Sequence, residues 1–198
     1  MKVNKLGATL AMAAMLLSAC GSDITHSGFR SVDEASEDGV VNVSLLNRVD
    51  GNIFDANYGG VAYVIGVDLE QYEAWAGVMP NSTVGAEMDN GSATYTGQYS
   101  LAKVSGVDLV NDTPTGNAGA DFGNITLTAD FDRQTIIGSD GDLEIDGRID
   151  GTALSGDVEY EGIDGELQGV IGADAAIGAF HGHDSDTVYA GGFVAERD

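Results

Sequence analysis

The sequence predicts an all-β protein of eight or nine short antiparallel strands, arranged as a sandwich or a closed barrel, on three observations. Glycine makes up 29 of the 198 residues and proline only 2, so the chain is rich in turns without being collagen-like or a proline-rich spacer. Apolar and polar residues alternate: Ile125, Leu127, Ala129 and Phe131 share one face, and Thr126, Thr128, Asp130 and Asp132 the other. Leu143, Ile145 and Ile149 oppose Asp142, Glu144, Asp146 and Arg148 in the same way, which buries one side of each strand. Asp146-Gly147, Asp150-Gly151 and Asp164-Gly165 punctuate the runs, and Asp-Gly supports tight hairpins.

The elements follow in chain order. Lys2 and Lys5 give a positive start, Leu6 to Leu17 carries no charge, and Leu17-Ser18-Ala19-Cys20 ends the segment, which reads as a signal peptide over 1–19 with a lipobox. As a helix its twelve apolar residues reach about 18 Å, short of the ~30 Å hydrocarbon core of a bilayer, so the segment suits cleavage rather than spanning. Cys20, the only cysteine, is the lipidation site and has no partner for an intramolecular disulfide. Its acyl chains would hold the protein to a membrane, and Gly21, standing where a retention aspartate would, favours the outer membrane, on its periplasmic or its surface face. Residues 20–39 are rich in Ser, Gly, Asp and Glu and read as a flexible tether, with Asp33, Glu34, Glu37 and Asp38 a solvated acidic spacer.

Strand-like runs then recur at Val40–Leu46, Val61–Val67, Ala93–Val104, Gly123–Asp132, Gly141–Ile149, Thr152–Tyr160, Gly165–Ile171, Ala175–His181 and Val188–Ala195. Leu69, Tyr72 and Trp75 recur every third residue within Asp68–Ala76, where a short helix and an aromatic loop are both open readings. All 32 acidic residues follow Cys20 beside six basic ones, Arg30, Arg48, Lys103, Arg133, Arg148 and Arg197. A surface of that sign repels phosphate backbones and excludes nucleic acid as a partner.

Gly91-Ser92-Ala93-Thr94-Tyr95-Thr96-Gly97, the Ile125–Phe131 strand, and the closing Gly178-Ala179-Phe180-x-Gly182 with Gly191-Gly192-Phe193 resemble the barrel domain of the transferrin-binding protein B family. The resemblance covers about Gly91 to Asp198. The family's penultimate hairpin reads Gly-x-Phe-Tyr-Gly-Pro-x-Ala; Gly169-Val170-Ile171-Gly172-Ala173-Asp174-Ala175 keeps the glycines and the alanine and replaces the aromatic pair and the proline. The resemblance implies an eight-stranded antiparallel barrel over 91–198, with 40–90 as N-terminal strands or a reduced handle. It further implies a non-enzymatic surface lipoprotein that captures or presents a ligand (protein, haem or metal) and works beside an outer-membrane receptor. No contact residue of the family is recognisable in the loops.

Among chemistry-bearing residues, His181 and His183 are the sharpest pair, because residues two apart on a strand point to one face and two imidazoles there suit a metal or haem. The same segment also reads as a polar hairpin turn. Asp140, Asp142, Glu144 and Asp146 alternate on one face without the ligand order of a calcium loop, and read as a solvated outer face. No nucleophile elbow, zinc-protease helix or phosphate-cradling loop occurs, so no catalytic residue and no resident cofactor is assigned. Tyr95, Tyr99, Phe131, Tyr160, Phe180 and Phe193 read as barrel core or girdle. Ligand capture is the leading reading, a structural or adhesive envelope lipoprotein without a small ligand is the alternative, and an envelope hydrolase ranks third.

The anchor is directly testable. Cys20→Ala is expected to move the protein from the membrane pellet to the soluble fraction after ultracentrifugation, since no other segment of 1–23 is long and apolar enough to hold it.

Overall fold

The structure, a computed structural model, describes residues 24–30 and 40–198 and contains twelve strands. The signal peptide, Cys20 and the acidic spacer at 33–38 lie outside the described residues. In chain order the strands are β1 (Thr25–Phe29), β2 (Leu46–Asp55), β3 (Gly59–Asp68), β4 (Gln71–Val78), β5 (Ser92–Val110), β6 (Thr113–Asp130), β7 (Thr135–Ser139), β8 (Leu143–Asp150), β9 (Ala153–Tyr160), β10 (Ile163–Ile171), β11 (Ala175–His183) and β12 (Thr187–Arg197).

Strands β5 to β12 close into an eight-stranded antiparallel barrel in which β12 lies between β11 and β5, and β9 beside β10. Inward residues fill it: Tyr95, Tyr99 and Leu101 from β5, Ile125 and Leu127 from β6, Leu143 and Ile145 from β8, Phe180 from β11, and Tyr189 and Phe193 from β12. The interior is packed, as period-two alternation requires of a small barrel. The buried tyrosines carry their hydroxyls to partners: Tyr95 donates to the Gly172 carbonyl at 2.7 Å, Tyr189 to that of Ile163 at 3.0 Å and Tyr160 to the Asp121 carboxylate at 2.8 Å. A Cβ at Gly178 would collide with the Phe193 ring, so glycine there makes room for an inward aromatic across the strand pair.

Strands β1 to β4 form a separate sheet in the order β1-β4-β3-β2, laid on the outer face of the barrel. Val61, Tyr63, Ile65, Tyr72, Ala74 and Ala76 of this sheet pack against Ala102, Val104, Ala175, Ile177, Ala179, Val188, Ala190 and Val194 of the barrel wall. Small wall residues let the two sheets approach, and a Cβ at Gly192 would strike Val61. The far face of the sheet carries Ala62, Val64 and Trp75, covered by Val41 with Val43 and Leu45. Arg48 holds that cover by donating to the carbonyls of Val43 at 2.6 Å and Val41 at 2.8 Å.

Several elements differ from the sequence reading. Of Val40–Leu46 only Leu46 enters a strand; the rest is irregular chain whose apolar residues cap the sheet, and the strand is the more polar Leu46–Asp55, a sheet edge with one face to cover. Asp68–Ala76 is neither helix nor loop. It is the β3–β4 hairpin, in which Leu69 takes a left-handed φ of 54° at the turn, while Tyr72 and Trp75 point to opposite faces of β4. Within the expected tether, Thr25–Phe29 forms β1, parallel to β4, because the open edge of β4 offers backbone groups that tether composition does not reveal.

The outer face of β8, β9 and β10 is a grid of carboxylates. Glu144 pairs with Glu159 and Glu159 with Asp164, while Asp146 pairs with Asp157 and Asp157 with Glu166. Like charges directly opposite one another destabilise a strand pair. Glu159→Lys, which turns two repulsive pairs into attractive ones, is therefore expected to raise thermal stability by roughly 0.5–1 kcal/mol. The gain should shrink in high salt, checked by melting curves at low and high ionic strength.

Candidate functional site

The three histidines of the chain meet where β1 crosses the barrel wall. His181 and His183 stand two apart on β11, so both rings leave the same face, and that face is the outer one, against β1. Ser27, buried on β1, places its Oγ 2.9 Å from Nδ1 of His181 and 2.8 Å from Nδ1 of His183. A hydroxyl has one proton, so with both imidazoles neutral Ser27 donates to one Nδ1 and accepts from the other, which makes one of the rings an Nδ1–H tautomer. His26 sits at the rim, its ring centroid 6.1 Å from that of His183 and 5.3 Å edge-on from Trp75, and Phe29 stands edge-on to His181 at 4.3 Å. Arg30 lies over the other rim of Trp75, its guanidinium carbon 4.0 Å from the ring centroid. The Thr25 hydroxyl donates to the Asp184 carbonyl and completes the seam.

The sequence left the histidine pair between a strand face and a polar turn, and the structure puts both residues on a strand. β11 runs through His183, and the turn is Asp184–Asp186, where the Asp184 carboxylate accepts the backbone N–H of Asp186 at 3.0 Å and of Thr187 at 2.8 Å. His181 is only 6% exposed, and its Nε2 has no hydrogen-bond partner, with Glu166 Oε2 3.8 Å away. Burial, with His183 and His26 nearby, pushes His181 down from 6.5 to about 4. Among the described residues no three His, Cys, Asp or Glu side chains converge as a metal set. Ser27 and His26 escaped the sequence reading because they lie more than 150 residues from their partners, in a segment whose composition resembles a spacer. Cys20 lies outside the described residues. Of the acidic row, Asp140 receives the backbone N–H groups of Asp142 and Leu143 ahead of β8, and Glu144 and Asp146 face solvent.

A second feature is the end of the molecule where turns gather. Tyr72 N–H donates to the Ile24 carbonyl, Thr25 reaches Asp184, and Val107 N–H donates to the Asp186 carbonyl, so the β3–β4, β5–β6 and β11–β12 turns share one end. Leu69, 86% exposed, with Leu46 and Val110, projects there. Leu69, Asn111 and Asp112 all hold left-handed backbone conformations, a rare state for leucine.

The closed eight-stranded antiparallel barrel is the architecture that the transferrin-binding protein B resemblance implied, here with a four-stranded sheet on its wall. No family model and no curated protein matches the chain. Solved structures similar to it include a mutant transferrin-binding protein B from Actinobacillus pleuropneumoniae H49, at 17% identity and a TM-score of 0.48, covering 77% of this chain and 82% of that one. A protein described as a surface lipoprotein is similar at 17% identity and a TM-score of 0.49 over the same shares. The apo haemoglobin receptor from Kingella denitrificans is similar at 13% identity and a TM-score of 0.36, covering 73% of this chain and 57% of that one.

The buried imidazole gives a pH signature. Between pH 6.5 and about 4 the unfolded chain binds a proton at His181 that the folded chain refuses, so stability is lost as pH falls through that window, by up to about 3 kcal/mol. Carboxylate repulsion is relieved by the same acidification and works in the opposite sense, so the comparison is made with His181→Asn, which keeps a polar atom toward Ser27 and does not titrate. The wild type is expected to lose more melting temperature than this variant between pH 7 and pH 5.

Proposed function

We propose that this chain is a non-enzymatic envelope lipoprotein, held at the outer membrane through Cys20, that captures a protein ligand with the turns at one end of the molecule. The observation that carries this reading is Leu69. A leucine in a left-handed turn costs about 1–2 kcal/mol against glycine, and its exposed side chain forgoes the burial that would stabilise it. Strain combined with an exposed apolar tip is a costly arrangement in a turn whose neighbours, Asp68 and Glu70, are ordinary solvated residues, and a partner that buries the tip accounts for it. The barrel and its docked sheet supply a rigid platform for such tips. The motif resemblance supports a role in acquiring iron, haem or metal through a captured carrier, beside an outer-membrane receptor.

His181 and His183 belong to the seam in this reading. With Ser27 Oγ on both Nδ1 atoms, a metal or haem that used those two nitrogens would first have to displace Ser27 of β1.

Two outcomes separate capture from a structural or adhesive role. Leu69→Gly is expected to raise the melting temperature, by an amount equivalent to about 1 kcal/mol, while weakening retention of the captured protein from host fluid or culture medium on immobilised chain. Leu69→Asp with Val110→Asp is expected to abolish that retention with the fold intact. A structural protein would show the gain in stability and no specific retained partner to lose.

A further inference from the structure

A groove of about 610 Å³ runs beside the seam between the sheet and the barrel. One wall is β2, the outermost strand of the sheet among the described residues, with Asn52 and Phe54; the floor is the outward face of β5, with Gln98 and Ser100; the far side is β6, with Phe122 and Asn124. On the barrel face Gln98 stands opposite Asn124, and Ser100 opposite Phe122, so amides and an aromatic ring alternate in a fixed two-by-two tile. The Tyr63 hydroxyl reaches across from the sheet to Ser100 Oγ at 2.5 Å and pins the floor to the wall. Phe122 is 82% exposed on a rigid strand and Phe54 60% exposed on the opposite rim.

The charge of the groove separates it from the rest of the surface. No described residue lining it is charged, in a chain of net charge −24, while the concavity on β6 to β10 is lined by Glu144, Asp146, Asp157, Glu159 and Asp164. A cationic partner would be drawn to the second surface and an anionic one repelled by the whole molecule. What suits the first is a neutral ligand with an apolar face for the rings and closely spaced hydroxyls for groups that both donate and accept, as side-chain amides do. A pyranose has that combination, with axial C–H groups on its faces and hydroxyls around its rim. A groove of about 610 Å³ has room for more than one such unit.

We propose that the Phe54–Phe122 groove binds a neutral oligosaccharide, with Phe122 stacking on a sugar face and Gln98 and Asn124 hydrogen-bonding its hydroxyls. The proposal rests on the capture reading in taking the chain as a ligand-binding module, and it adds a site and a ligand class apart from the loop tips.

The test is calorimetric titration of the full chain in a sugar-free detergent with maltohexaose, cellohexaose, mannohexaose and chitohexaose, and with a heparin hexasaccharide as the charged probe. Saturable binding of at least one neutral hexasaccharide is expected, with none of heparin. Phe122→Ala, and separately Gln98→Ala with Asn124→Ala, should weaken it about tenfold or more without moving the melting temperature, since these side chains are exposed. Leu69→Asp should leave it unchanged, so loss of tip-dependent protein capture and loss of sugar binding are read independently. Absence of binding by all four neutral probes overturns the proposal, as does binding that survives Phe122→Ala. So does a sedimentation shift from dimer to monomer in Phe122→Ala, which would assign the patch to a second copy of the chain.

Discussion

Strands β11 and β12 are buried on both faces, and the rest of the molecule is arranged around that fact. Inward, Phe180, Tyr189 and Phe193 fill the barrel; outward, Ala175, Ile177, Ala179, Ala190 and Val194 receive the four-stranded sheet. Two apolar cores thus share one pair of strands, and neither layer is shielded from water without the other. Small residues on the outward side keep the layers close, in the way that tightly packed interiors demand. The histidine seam and the neutral groove both follow from this contact, because each forms where the edge of the docked sheet meets the barrel wall.

Legibility in the sequence tracked how strands are buried. β8, with Leu143 and Ile145 in and Glu144 and Asp146 out, announced itself by alternation, as did β6 from Ile125 to Ala129. β11 was legible as an apolar run but not as a strand with a second layer on it, since burial on both sides erases the alternation that marks a face. β1 was invisible: of its five residues the buried members are Thr25 and Ser27 and only Phe29 is a large apolar one, which is too little for a periodic signal, and the strand geometry comes from the edge of β4. The histidine pair was found by spacing alone, whereas its partner Ser27 depends on a contact across 154 residues that no local pattern encodes. The β5–β6 hairpin ran past its expected limits because the β6 stretch around Gly116 and Gly119 pairs with β5 while staying exposed, so no alternation marks it.

The chemistry of the surface is divided in the same way as the packing. The barrel's far wall concentrates carboxylates in directly opposed pairs, which cost stability and discourage edge or face association with other acidic copies. Beside the sheet, by contrast, the described residues that line the groove are uncharged, and Ser27 and His181 are buried at the seam. The tyrosine hydroxyls, tied into carbonyls and carboxylates, are structural members of the barrel.

The position of β12 also bears on how the chain folds. The barrel closes only when β12 slots between β11 and β5, where its Thr187 pairs with Ser105 of β5, 82 positions away, and the docked sheet has no finished wall until then. Until β12 is in place the chain therefore has neither a closed barrel nor a completed wall for the sheet, and the contacts that finish both are long-range ones. Closure of the barrel and docking of the sheet are in that sense a single event, because both layers acquire their common strands together.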